Sequence, residues 1–261
     1  MRIAVAGGTG WAGKLVVDAL RSAGDEPVVL ARSVGVDLTT GGGLAGKLAG
    51  VDAVIDVSNV TTTKARTSVR FFEAVTANLL AAEAEAGVAH HVALSIVGVD
   101  RVDLGYYAGK RRQEQLVLNR QGSGARAPGG TVLRATQFHE FAAQMLDRGA
   151  PFVIAVKMLS QPVALAEVAA HLVRLAQGDP AGLAPDLAGP EEHLMVPDMI
   201  RRLARARGDR LPVITVGVPG TVGRQLTGGG LLPVAPGPRG AVTFSDWLEK
   251  QRGNPRYKAP R

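Results

Sequence analysis

Short apolar runs alternate with longer segments whose apolar positions recur every third or fourth residue through roughly the first 155 positions. The short runs predict strands at Ile3–Ala6, Pro27–Ala31, Ala53–Asp56, His91–Ser95, Thr131–Arg134 and Phe152–Ala155. The longer segments predict helices at Ala12–Ala23, Lys64–Ala86, Tyr106–Arg120, Gln137–Arg148, Ala166–Gln177 and Pro197–Arg207. Strand and helix in strict alternation point to an α/β chain: a doubly wound, Rossmann-like parallel sheet with helices on both faces. No internal repeat is visible.

The rhythm breaks after about Ala155, where Pro and Gly become frequent. Gly217–Gly240 reads as a long Gly/Pro-rich stretch, and Val242–Glu249 as an ordered close. Thr243 or Ser245 is placed to cap a last short helix carrying Trp247. Residues 1–155 are therefore expected to form the core. Residues 156–261 are expected to form a small substrate-side lobe of the same domain, with a frayed tail from Gly253.

Composition narrows the function. With no cysteine in 261 residues, disulfides and thiolate metal sites are excluded. The five histidines are scattered or, at His90 and His91, adjacent on a strand and so facing opposite ways, which argues against a metal centre. The net charge of +7 is carried largely by arginines on helical patterns, where charge marks a solvated face. At 4% aromatic residues, base-stacking platforms and hence nucleic-acid partners are not expected. No apolar run is long enough to span a membrane, and the first strand begins at once, so a cytoplasmic protein is expected. A positive field does suit an anionic cofactor.

The first strand runs into Gly7-Gly-Thr-Gly-Trp-Ala-Gly13 and then a helix. Strand, glycine turn and helix N-terminus are the setting in which a backbone approaches a pyrophosphate and offers it free N–H groups. Gly7, Thr9, Gly10, Trp11 and Gly13 are the candidates. A second match, Gly41–Gly46, follows a polar stretch and reads as a loop leading into a short helix. The second strand ends at Arg32-Ser33, where an acid would take the ribose hydroxyls of NAD and a base the 2′-phosphate of NADP. A guanidinium fork fits phosphate, so NADP is expected over NAD. Asp37-Leu38 can cover the adenine, and Asp56-Val-Ser58-Asn59 can approach the ribose and pyrophosphate; both also read as ordinary turn chemistry.

Tyr106 and Lys110, four apart on a predicted helix, share one face. Reduction of a carbonyl needs a proton, and an ammonium beside a phenol would bring its pKa toward working pH. Lys110 can also hold the nicotinamide ribose, and Ser95, at a strand end, can orient a substrate oxygen. Tyr107 is the rival for the acid.

These residues resemble the short-chain dehydrogenase/reductases, in their atypical, NmrA-like branch. The likeness rests on Gly7–Gly13, Arg32, Asp37-Leu38, Leu94-Ser-Ile-Val-Gly98, the Tyr106/Lys110 spacing, Leu133–Phe138 and Gln161–Ala169. It implies an NADP(H) cofactor, catalysis by Ser95, Tyr106 and Lys110, and Gln137 beside the nicotinamide. The interval from Ser95 to Tyr106 is shorter than in the main branch, and Asn78 does not match that branch's catalytic asparagine cleanly. The expected activity is hydride transfer to or from a small carbonyl, alcohol or quinone-like substrate. Loops near Gln137–Phe141, Lys157–Gln161 and Gly217–Leu232 would cover that substrate, with Met158, Leu159, Leu231, Leu232 and Trp247 suiting an apolar ligand or an ordinary core. Two alternatives stand: an NADP(H)-sensing regulator, since many members of this branch lack the tyrosine, and a sugar-nucleotide epimerase or dehydratase. Monomer and homodimer are both left open.

Overall fold

The computed structural model describes residues 1–120, 129–190 and 193–252. Its strands are β1 (Arg2–Ala6), β2 (Glu26–Leu30), β3 (Ala53–Asp56), β4 (His90–Ile96), β5 (Gly129–Ala135), β6 (Val153–Val156), β7 (Leu159–Ser160), β8 (Gly182–Leu183), β9 (Leu194–Met195) and β10 (Val213–Val216). Its α-helices are α1 (Trp11–Ser22), α2 (Leu44–Leu48), α3 (Ala65–Ala86), α4 (Gly105–Leu118), α5 (Phe141–Leu146), α6 (Leu165–Gln177), α7 (Val196–Arg207), α8 (Gly220–Thr227) and α9 (Phe244–Arg252). Two compact units result. One comprises Met1–Ser95, Asp103–Arg134 and Val168–Ala184; the other comprises Ile96–Val102, Ala135–Glu167 and Pro185–Arg261. The chain thus threads between units several times, where the sequence suggested a single division at residue 155.

The first unit holds a six-stranded parallel sheet in the order β2-β1-β3-β4-β5-β8. β1 pairs with β2 on one side and β3 on the other, with Ala6 level with both Leu30 and Asp56. The loops leaving these three strands therefore start at one edge. Strand order reverses between β1 and β3, which opens the crevice where doubly wound sheets bind ligands. β3 and the last four residues of β1 are buried throughout, the reason their sequences read as unbroken apolar runs. Ala4, Ala6, Val28, Leu30 and Val54 pack with Leu44 and Leu48 of α2 and with Val75 and Leu79 of α3.

The second unit differs from the expected pattern. Phe152–Ala155, expected in the main sheet, becomes β6, which pairs only with β10. Its burial alternates, with Ile154 52% exposed, so it is a half-covered strand and not a central one. The sixth strand of the main sheet is instead the two-residue β8, which carries no apolar run to reveal it. The helix expected over Gln137–Arg148 shortens to α5. Gln137 O accepts the Val163 N–H (2.9 Å) and His139 N–H donates to Val163 O (3.0 Å), so this stretch runs extended beside residue 163.

Gly217–Gly240 contains α8, and Leu231 is buried. Thr243 caps α9: its Oγ1 accepts the Asp246 N–H (3.1 Å), and Asp246 Oδ2 accepts the Thr243 N–H (3.4 Å) and hydroxyl (2.7 Å), a reciprocal capping box. The tail expected to fray, Gly253–Arg261, lies outside the described residues. No helix among the described residues is long and apolar enough to cross a membrane.

Candidate functional site

The glycine loop sits at the β1/β3 switch point of the first unit. Gly7 adopts φ +79°, and its N–H donates to Leu30 O at 2.9 Å. A Cβ there would lie 3.0 Å from Ser58 Cα, so the loop presses against the turn that leaves β3. A Cβ on Gly13 would fall 2.1 Å from Gly7 O and 2.6 Å from Gly8 Cα. Both contacts are with backbone, so the packing of α1 onto its own turn requires glycine. No side chain caps α1, and its first turn carries no acid, which leaves the positive end of the helix facing the turn. Thr9 is exposed and Trp11 half-buried.

Arg32 opens a single 3₁₀ turn, Arg32–Val34, directly beyond β2, and both Arg32 and Ser33 are exposed. The Arg32 guanidinium makes no hydrogen bond or ion pair among the described residues. Asp37 is drawn into its own turn: Oδ1 accepts the Thr39 hydroxyl (2.6 Å) and N–H (2.9 Å). These bonds, the hydroxyl first, hold its carboxyl below the usual range. Leu38 packs on the apolar cluster, and its carbonyl accepts Asn78 Nδ2 at 3.0 Å. Asn78 therefore anchors this loop.

The turn after β3 is stitched tightly. Buried Asp56 accepts Ser58 N–H at Oδ1 (2.8 Å) and Gln113 Nε2 at Oδ2 (2.8 Å). Ser58 Oγ is buried with no partner among the described residues. Asn59 is exposed; its Oδ1 accepts Val60 N–H (2.8 Å) and the Tyr106 hydroxyl (2.7 Å).

Tyr106, Lys110, Gln113 and Glu114 line one face of α4. Burial, with Tyr107 adding to it, pushes the Tyr106 hydroxyl well above the usual tyrosine range. Burial does the same to Tyr107. Lys110 Nζ donates to Leu94 O (2.6 Å) and Gln113 Oε1 (2.7 Å) and lies 4.5 Å from the centroid of the Phe72 ring. Burial pulls it down to about 8, against the opposing pull of Asp56 and Glu114. Ser95 Oγ donates to Glu114 Oε1 at 2.6 Å, and Arg134 grips the same carboxylate through Nε (2.9 Å) and Nη2 (2.7 Å).

The three residues proposed for catalysis thus enter three hydrogen-bonded groups: Tyr106 with Asn59, Lys110 with Leu94 and Gln113, and Ser95 with Glu114 and Arg134. The lowered phenol pKa expected from Lys110 is replaced by a raised one. The physical reason is that the ammonium is occupied beneath β4 while the phenol is desolvated. Gln137 belongs to the second unit, half-buried, with its carbonyl bonded to Val163.

Sequence reasoning overlooked Gln113, Glu114 and Arg134. A signal existed: Glu114 follows Tyr106 by eight residues on the same helical face, and Arg134 interrupts an apolar strand. His90 and His91 do face opposite ways. His90 bonds Gly178 O and Thr131, and His91 bonds Glu83 at 2.7 Å. Burial opposes the charge on His91, but Glu83 outweighs it and raises the pKa. Among the described residues no group of three or more His, Cys, Asp or Glu could hold a metal ion.

No protein-family model and no curated protein matches the chain. Solved structures do. A UDP-glucose-4-epimerase from Stenotrophomonas maltophila, with bound NAD and formylated UDP-arabinopyranose, superposes with a TM-score of 0.73 at 15% identity, covering 98% of each chain. The chain shares its Rossmann-like fold. A short-chain dehydrogenase/reductase superfamily protein from Agrobacterium tumefaciens with bound NAD gives 0.68 at 20% identity, covering 97% of this chain and 96% of that one. RMD from Pseudomonas aeruginosa complexed with NADPH gives 0.67 at 17% identity, covering 97% and 98%. At such identities the likeness speaks for the fold alone.

Proposed function

We propose that the chain binds NADP(H) in its first unit and acts as an oxidoreductase of the short-chain dehydrogenase/reductase type on a small carbonyl, alcohol or quinone-like compound. The observation that carries this is the glycine loop at the switch point, with the exposed Arg32 guanidinium at the end of the neighbouring strand. The residues fit the group. The backbone N–H groups of Ala12 and Gly13 at the start of α1 would take the pyrophosphate, and the Ser58 Oγ, without a partner among the described residues, offers a further donor there. Arg32 and Ser33 would take the 2′-phosphate, and Leu38 would meet the adenine. Bound nicotinamide supplies or accepts hydride. Tyr106 is the residue proposed to hand over the proton.

Two other readings each have an observation behind them. Ser95 and Lys110 are held in internal networks, which favours a protein that binds NADP(H) and responds to it without turnover. The similar structures include an enzyme of UDP-sugars, which favours an epimerase or dehydratase.

Trp11 lies in the loop, so its fluorescence should report nucleotide, with Trp11→Phe removing the response and controlling for Trp247. Titration with NADPH, NADH, NADP and NAD tests the reading. NADPH should bind more tightly than NADH, and Arg32→Ala should weaken NADPH by roughly 10- to 150-fold, the range of a charged hydrogen-bonding contact. NADH should be unaffected. Equal binding of both reduced forms by the intact chain defeats the phosphate assignment and favours the epimerase reading. Tight binding with no turnover across a carbonyl and quinone panel favours the sensor.

A further inference from the structure

We infer that Asn59 is the positioning residue of Tyr106, and that this pair presents a protonated hydroxyl without help from the lysine on the same helix. The inference rests on Tyr106 as the proton donor proposed above and adds what aims it and which direction of chemistry it serves.

The geometry is that of a tied helix. Asn59 Oδ1 accepts the Tyr106 hydroxyl at 2.7 Å and is itself steadied by the Val60 N–H. The turn bearing Asn59 is fixed from below, because Asp56 takes the Ser58 N–H with one oxygen and Gln113 with the other. α4 is thus joined to the β3 turn at two points, Tyr106–Asn59 and Gln113–Asp56. It is also seated on α3 through Ser68, whose hydroxyl donates to Tyr106 O at 2.6 Å, while Gly109 leaves no room for a Cβ against the same residue.

Lys110 takes no part in this. Its two acceptors are Leu94 O and Gln113. Wholly buried Phe72 touches both groups, its face beneath the ammonium and its ring 5.8 Å from that of Tyr106 at an interplanar angle of 70°.

A neutral amide oxygen accepts from a phenol and offers a phenolate nothing, so it stabilises the protonated form. In reduction of a carbonyl, a bound reduced nicotinamide would supply the hydride with its electron pair. Tyr106 Oη gives its proton to the carbonyl oxygen, and water returns one to the phenolate. Alcohol oxidation needs the phenolate at the outset, which Asn59 and the apolar setting oppose. The site is therefore arranged for reduction.

The test uses the full chain labelled with ζ-¹³C tyrosine, without nucleotide, the Tyr106 signal being identified by its loss in Tyr106→Phe. In the wild type this signal should not titrate up to about pH 11, above the ordinary tyrosine value near 10. Asn59→Ala should move it at neutral pH, and Lys110→Met should leave it in place. Titration below about 10, or a signal moved by Lys110→Met and not by Asn59→Ala, overturns the inference. Should Lys110→Met not fold, the wild-type titration together with Asn59→Ala, a change on an exposed turn, still decides. Adding NADPH to the same samples separates the two claims. A wild type that does not bind nucleotide defeats the oxidoreductase reading, whereas a wild type that binds while its Tyr106 signal ignores Asn59→Ala defeats this inference alone.

Discussion

Glu114→Gln probes the group that holds Ser95. The carboxylate is buried, receives two bonds from Arg134 and one from Ser95, and Arg134 itself is only 14% exposed along its side chain. Glutamine preserves the shape but removes the negative charge and turns one acceptor into a donor facing a guanidinium. Breaking such a pair from one side costs about 3–5 kcal/mol, because the surviving charge cannot regain water. Against a typical total of about 5–15 kcal/mol, the variant should fold with a much reduced margin. At about 2–4 °C per kcal/mol for a chain of this size, its melting midpoint should fall by roughly 6–20 °C. Urea unfolding gives the free energy, and Ser95→Ala and the double variant complete a cycle that isolates the Ser95–Glu114 bond. The coupling should be about 1.5–3 kcal/mol, as for a hydrogen bond to a charged group. A loss below about 1 kcal/mol for Glu114→Gln, the range of exposed pairs, would refute the reasoning, since it would mean that Arg134 reaches solvent freely.

Two further outcomes follow from the same packing. Gly13→Ala places a Cβ against Gly7 O and Gly8 Cα, so the turn must open. Nucleotide binding should vanish in the Trp11 titration, and stability should drop by about 1–3 kcal/mol; unchanged binding would show that the turn yields. Lys110 is pulled down to about 8, so between that pH and its unfolded value near 10.4 the unfolded chain binds more protons than the folded one. Stability should therefore rise with pH across this window, by up to about 3 kcal/mol relative to Lys110→Met, and lie flat below it. A wild-type-minus-variant difference that falls or stays level from pH 8 to about 10.4 would contradict the burial of a charged lysine.

The legible parts of this fold are those in which one face or both faces of an element are apolar. β1 to β5 and helices α1, α3, α4, α6 and α7 lie within a few residues of their expected places, because buried strands and amphipathic helices print their period in the sequence. β8 and β9, two residues each, carry no period at all. α8 was hidden by the glycines around it. The assignment of Phe152–Ala155 to the main sheet used composition where pairing mattered, and a strand's partners are decided by segments far away in the chain. The site divides in the same way. The need for glycine at Gly7 and Gly13 was readable because close backbone contact demands that residue at those points. The commitments of Ser95 and Lys110 were not, because they depend on Glu114, Gln113 and Arg134, whose side chains become partners only once α4 lies against β4.

This division bears on how the chemistry can be assigned. Ser95 and Lys110 support the packing of the first unit, so their removal exposes or orphans buried partners whatever else they do. Loss of activity in Ser95→Ala or Lys110→Met would therefore not make either residue catalytic. Tyr106→Phe and Asn59→Ala are different. Tyr106→Phe removes the one bond from its hydroxyl to Asn59, and Asn59→Ala removes that bond and the one its Oδ1 takes from the Val60 N–H on an exposed turn. At about 0.5–1.5 kcal/mol per neutral hydrogen bond, neither change should unfold a chain of this size. A large loss of turnover in these two variants, with stability nearly intact, would have to come from the chemistry.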